Sequence, residues 1–152
     1  MNRVVGFYDR GVALIAGRVP EAFALLLLRI ALAGVFWRSG QTKTVEGAFL
    51  TIDPVQYDLF ASEFSGLPLD PVIAVPLTTY AEHIFPALLL LGLATRLSAG
   101  ALLVMTMVIQ LFVFPDAWWP VHSLWAAMAA ILIVRGGGLF SLDAVIARLR
   151  GR

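Results

Sequence analysis

Cysteine is absent from the chain. Its absence excludes disulfides, thiol redox chemistry, thiolate-bound zinc and Cys-ligated iron–sulfur clusters from this subunit. Charge is scarce as well: Asp, Glu, Lys and Arg make up 14% of the residues and leave a formal net charge of +1. Nothing in that balance points to nucleic acid, and the positions of the charges matter more than their sum. What is abundant is apolar surface, at 60% hydrophobic residues and a mean hydropathy of +0.87. A soluble domain of 152 residues cannot hide so much of it, so lipid is the natural solvent. The length suits one domain over residues 1–152.

A bilayer crossing needs about 20 mostly apolar residues. Four stretches qualify, over about 21–40, 71–94, 97–114 and 118–135. They predict an all-α membrane protein, a bundle of four transmembrane helices with short amphipathic surface helices. Pro20 and Asp70-Pro71 put proline in a first turn, and Asp70 is a good N-cap. Phe114-Pro115-Asp116 breaks the chain after the third stretch, Trp118 and Trp119 suit an interfacial belt, and Gly136-Gly137-Gly138 closes the fourth. Ala31-Leu32-Ala33 has the small-x-small form of a signal cleavage site. Arg29 interrupts the apolar run, however, and hydrophobicity continues to Trp37, so the first stretch is expected to be a retained span.

Basic residues orient the bundle. With the N-terminus inside, Arg3, Arg10, Arg18, Arg96, Arg135, Arg148, Arg150 and Arg152 are all cytoplasmic, while Arg38 and Lys43 fall outside. The first outer loop is acidic, with Glu46, Asp53, Asp58, Glu63 and Asp70. This positive-inside pattern predicts a bacterial-type cytoplasmic membrane protein with both termini in the cytoplasm. Asp53-Pro54 begins a short outer helix or an ordinary aromatic-bearing loop that ends by Gly66. Ser141 caps a second surface helix, with Leu142, Val145, Ile146 and Leu149 on one stripe. Arg3 to Ala16 is a weaker candidate of the same kind.

Polar residues inside the spans carry the functional signal, because an ionisable group in lipid is costly and needs a partner. At about 1.5 Å rise per residue, Arg29 lies about 14 Å from the cytoplasmic end of its span and Glu82-His83 about 15–17 Å from theirs. Gln110 and His122 lie about 20 Å deep by the same count. Each span therefore adds a polar group to one broad layer. Arg29 and Glu82 are the expected ion pair, since a guanidinium offers a carboxylate a planar fork of donors. That pair either fixes helix register or touches a ligand. Pro86 has no N–H and frees the carbonyl of Glu82. Lys43 shares the face of Arg29, Phe36 and Gly40, whereas Arg38 faces the other way and snorkels. His83, His122 and Gln110 serve equally well as cross-helix hydrogen-bond partners.

Three blocks resemble the DoxX family of small four-helix membrane proteins. The first is Leu28-Arg29-Ile30 with Gly40 and Lys43. The second is Ala81-Glu82, Leu88 to Leu91 and Gly92-Leu93-Ala94-Thr95-Arg96-Leu97. The third is His122 with Gly138-Leu139-Phe140-Ser141-Leu142-Asp143. The likeness covers roughly Leu25 to Ala144. It implies an architecture more than a chemistry. Members are associated with membrane redox complexes, including subunits linked to thiosulfate–quinone oxidoreduction, while related eukaryotic proteins look like cargo receptors or assembly chaperones.

Three functions follow as expectations. In the first, the chain is a subunit of a redox-associated, quinone-linked complex. Glu82, His83 and His122 would then exchange protons with a quinone head group, Arg29 would tune Glu82, and a partner or bound cofactor would carry the electrons. Haem, held by two histidines, is the remoter cofactor, and no metal site is expected. In the second, the chain is a non-enzymatic anchor or assembly partner that docks another protein on the loop from Glu46 to Asp70; a protein partner or a homo-oligomer is expected. In the third it is a small-solute or proton pathway, against which no inverted repeat is visible.

Overall fold

The computed structural model describes residues 11–151 except 14 and 49. Most of the amphipathic candidate from Arg3 to Ala16 lies outside the described residues. The described chain is all-helical apart from one isolated bridge between Thr44 and Ile52. Helix α1 runs Arg18–Gln41, α2 Val55–Ser62, α3 Pro71–Leu91 and α4 Thr95–Phe112. A 3-10 turn at Pro115–Ala117 and a π turn at Trp118–His122 lead into α5 at Ser123–Arg135, and α6 is Leu142–Leu149. Four segments are long and apolar enough to cross a membrane: Arg18–Gln41, Pro71–Leu91, Thr95–Phe112 and Pro115–Arg135. The chain is a multi-pass membrane protein.

The helix boundaries follow local chemistry. Asp70 caps α3 by accepting the Val72 amide at 2.8 Å, the role expected of an aspartate before a first-turn proline. At the other end Gly92 turns left-handed at φ 66, where a side chain would strain the backbone. Ser141 caps α6 through the Ala144 amide at 3.2 Å. The fourth span does not start as a regular α-helix. Pro120 cannot donate a helical hydrogen bond, and its ring crowds the carbonyl four residues back. The chain widens there into the π turn that ends at His122.

In the core, Leu25, Leu32, Ala33 and Phe36 of α1 meet Leu89, Leu102, Ala129 and Leu132 from α3, α4 and α5. The outer faces of the same helices remain apolar and exposed, as at Leu27, Ile84, Val104 and Val134. That pattern belongs to a bundle whose surroundings are lipid. Helix α1 packs most extensively on α3, and α4 on α5. The short α2 lies across the start of α3. There Phe60 is buried with Ala74 and Val75, flanked by Ile52, Tyr57, Phe64 and Leu67. This short helix is therefore a roof on the bundle through its aromatic face. Helix α6 buries none of its residues, and Leu142, Val145 and Leu149 are exposed apolar side chains.

The antiparallel register of α1 and α3 decides which polar groups can meet. A Cβ on Gly40 would lie 2.7 Å from the His83 ring and 3.1 Å from Glu82 Cβ. A Cβ on Gly92 would overlap a guanidinium nitrogen of Arg29. Arg29 is thus level with Gly92, one whole segment of α3 away from Glu82, or about 15 Å at 1.5 Å per residue. The first turns of α1 project past the end of α3. The returning chain covers them: Gly138 packs on Leu25 and Ala22, Phe140 on Phe23 at 5.0 Å, and Arg135 pairs with Glu21.

Candidate functional site

The expected Arg29–Glu82 pair does not form. Glu82 pairs with Lys43, whose Nζ donates to Oε2 at 2.6 Å. Ser39 completes the group: its hydroxyl donates to Glu82 Oε1 at 3.1 Å and accepts from Lys43 Nζ at 3.1 Å. Lys43 also donates to the Ser39 carbonyl at 3.3 Å. Lys43 lies just beyond the end of α1, where Asp53 N donates to its carbonyl at 3.0 Å and the chain folds back towards α2. Glu82 and Lys43 are 2% and 8% exposed. An ion pair so far from water holds only with good geometry and satisfied lone pairs, and the Ser39 bridge provides both.

This pair forms one wall of a cavity of about 130 Å³. Apart from Ser39 and Thr78 the rest of the lining is apolar: Phe60 of α2 and Phe64 just after it, and Met105, Val108 and Ile109 from α4 among others. A charged pair facing a greasy, roofed chamber suits a ligand with a polar edge and an apolar body. The volume is below the ~300–1,000 Å³ of drug-sized pockets, so the chamber admits a ring-sized group and not a whole large cofactor.

His83 follows Glu82 in sequence but turns elsewhere. Its Nδ1 is 2.7 Å from the Thr79 carbonyl. A carbonyl only accepts, so Nδ1 carries the proton and Nε2 keeps its acceptor site. The ring stacks edgewise on Trp37 at 5.1 Å and borders a separate surface cleft of about 390 Å³ formed with the loop after α1. Gln110 and His122 form a third group. Gln110 Nε2 donates to the Pro115 carbonyl at 2.5 Å, which turns its Oε1 towards His122 Nδ1 at 2.8 Å. These two lie at one level, as their equal depth predicts, and they meet there. Arg29 stands alone at the far end, where Nη2 donates to the Phe140 carbonyl at 2.7 Å.

The single polar layer is therefore four separate sites: Glu82 with Lys43 and Ser39, His83, the Gln110–His122 pair, and Arg29. Depth counted from helix ends holds only for helices that start flush, whereas small residues set the register here and α1 is shifted along α3 by several turns' worth of chain. Sequence reasoning missed Ser39, which follows Arg38 near the end of the first span and offered no charge to notice. It also missed Thr95, Ser98 and Asp143 at the opposite end. Asp143 accepts the Ala94 and Thr95 amides, each at 2.8 Å, and so caps the start of α4. The closing Ser-Leu-Asp block was the available signal for it.

A four-span bundle with a buried ion pair under a helical roof defines a small polytopic membrane protein. The chain belongs to the DoxX family, whose pattern matches residues 24–115. The match covers the first span from residue 24 onward, the second and third spans, and Arg29, Lys43, Glu82, His83 and Gln110, while His122 and the Gly138 to Asp143 block lie beyond it. A protein of Haemophilus influenzae described as uncharacterized is 31% identical over 147 residues, covering 86% of this chain and 88% of its own length. No solved structure matches.

Proposed function

We propose that the Lys43–Glu82 chamber receives the head group of a membrane quinone, and that the chain is the quinone-side subunit of a redox complex in a bacterial-type cytoplasmic membrane. The observation that carries this reading is the pairing of a buried Lys–Glu–Ser group with an apolar chamber of ring size, about 130 Å³. The residues fit such a guest. Lys43 spends one N–H on the Ser39 carbonyl at 3.3 Å, its longest hydrogen bond. That donor is the one most easily redirected to a ligand carbonyl. Glu82 is the group positioned to take up or release a proton, with the Ser39 hydroxyl next to it. Phe60, Phe64 and Met105 exclude water from the reacting edge.

A bound quinone supplies two-electron, two-proton chemistry. The electrons come from a partner subunit or a bound cofactor, because the chain has no thiolate with which to hold a cluster. His83, His122 and Arg29 lie apart from the chamber and act in this reading on helix packing. The gathering of Arg96, Arg135, Arg148 and Arg150 at one end, opposite Glu46, Asp58, Glu63 and Asp70, supports cytoplasmic termini.

Titration with short-tailed ubiquinone and menaquinone analogues in nanodiscs tests the reading. The expected result is a saturable rise in melting temperature that Lys43→Met and Met105→Phe both remove. No rise with either analogue contradicts it. A second reading, a docking protein for another subunit, is favoured by one observation: Glu46, Asp58 and Glu63 are exposed around the roof. Pull-down from native membranes should then recover a stoichiometric partner that charge reversal of those residues releases.

A further inference from the structure

A second pocket, of about 540 Å³, opens at the opposite end of the bundle, between the start of α4 and the glycine run after α5. Thr95, Arg96, Leu97, Arg135 and Ser141 line it with Gly136–Gly138. Two observations at its wall and floor are independent of its shape. The Thr95 hydroxyl is fully buried and has no hydrogen-bond partner among the described residues. A Cβ on Gly137 would sit 2.7 Å from it, and Thr95 and Gly137 both line the pocket. Arg29 is 1% exposed, and its Nε and Nη1 also have no partner. Gly92 and Gly137 both pack on Ser141 Cβ, which brings the Arg29 and Thr95 groups to one place.

The charge there is unbalanced. A buried guanidinium needs a counter-charge, and Arg29 makes no salt bridge among the described residues. Asp143 accepts the Ala94 and Thr95 amides with its two carboxylate oxygens, lines the pocket itself, and is the carboxylate whose charge acts on Arg29. Glu21 pairs with Arg135. Arg96 gives only Nη2 to the Val134 carbonyl at 3.2 Å. Arg29 and Arg96 thus stand against the single negative charge of Asp143, which leaves one positive charge in excess. Leu97, 68% exposed, continues the pocket onto the lipid-facing surface.

We propose that this pocket binds a phosphate group, with Arg96 and Arg135 at the rim, the Thr95 hydroxyl in the wall and Arg29 behind it as the buried positive charge. The phosphate belongs to an anionic lipid head group or to a free anion. Both rest on the same donors, and the site is separate from the Lys43–Glu82 chamber.

The test uses the full chain in phosphatidylcholine nanodiscs, with inorganic phosphate added in one arm and phosphatidylglycerol blended into the bilayer in the other. The melting temperature should rise by about 4 °C or more in at least one arm. A rise with phosphatidylglycerol alone assigns a head group, and a rise with inorganic phosphate assigns a free anion. Arg96→Gln and Thr95→Val should abolish the rise. Thr95→Val should leave the melting temperature in phosphatidylcholine unchanged or higher, because it removes an unsatisfied hydroxyl. Arg148→Gln, which deletes the same charge from α6, should keep the rise. No rise in either arm overturns the proposal. So does a rise that survives both pocket substitutions, or one that Arg148→Gln abolishes equally.

Discussion

Lys43 Nζ lies 2.6 Å from Glu82 Oε2, and that contact joins the loop after α1 to the middle of α3 under the α2 roof. Removing one partner leaves the other charge buried and alone. Lys43→Met should therefore cost about 3–5 kcal/mol of stability. Lys43→Met with Glu82→Leu should recover most of that loss, because two apolar side chains replace the pair. A double-mutant cycle by detergent-based unfolding measures the coupling. Simple additivity would show that the pair is not energetically real.

Gly92 and Gly34 should respond in opposite ways to alanine. Gly92 has φ 66, and a Cβ there would overlap Arg29 and approach Ser141. Gly92→Ala should be strongly destabilising, by about 1–3 kcal/mol from backbone strain alone, with the clash added. Gly34 sits mid-helix with nothing within 4 Å of a new Cβ. Gly34→Ala should be neutral or stabilising by about 0.5–1 kcal/mol. Melting temperatures of the two variants settle the comparison.

Gly92 and Gly40 mark the limit of what the sequence shows. The spans, the Asp70 cap, the Ser141 cap and the glycine stop after α5 were legible, because each depends on residues adjacent in sequence. The level at which Gln110 meets His122 was legible too, since α4 and the fourth span are joined by a short connection. The partner of Glu82 was not. Counting from hydropathy ends assumes that neighbouring helices start flush, whereas α1 projects past α3 and the 136–141 segment covers the projection. The register follows from Gly40 fitting His83 and Gly92 fitting Arg29, and steric fit between distant residues leaves no mark in periodicity. The roof role of α2 was hidden for the same reason.

The Gln110–His122 pair should be structural. Gln110→Leu strands His122 Nδ1, which now donates across 2.8 Å, and should cost about 1–3 kcal/mol. The same variant should bind short-tailed quinone with unchanged affinity. Loss of binding would instead place His122 in the ligand site.

Filling the chamber should block binding without disturbing the ion pair. Met105 lines the cavity together with Glu82 and Lys43 and touches neither through a hydrogen bond, so Met105→Phe reduces its roughly 130 Å³ with an apolar side chain. Quinone affinity should fall tenfold or more, equivalent to about 1.4 kcal/mol. The unliganded melting temperature should change by less than that of Lys43→Met. Equal binding by the filled variant would move the site elsewhere.

The central claim is most directly tested by identifying what the protein retains after gentle extraction from quinone-replete membranes. Absorbance and mass spectrometry should find near-stoichiometric quinone with the unaltered chain, and at least tenfold less with Met105→Phe folded to the same extent. An unaltered chain that carries no quinone, or a filled variant that carries just as much, would contradict the account.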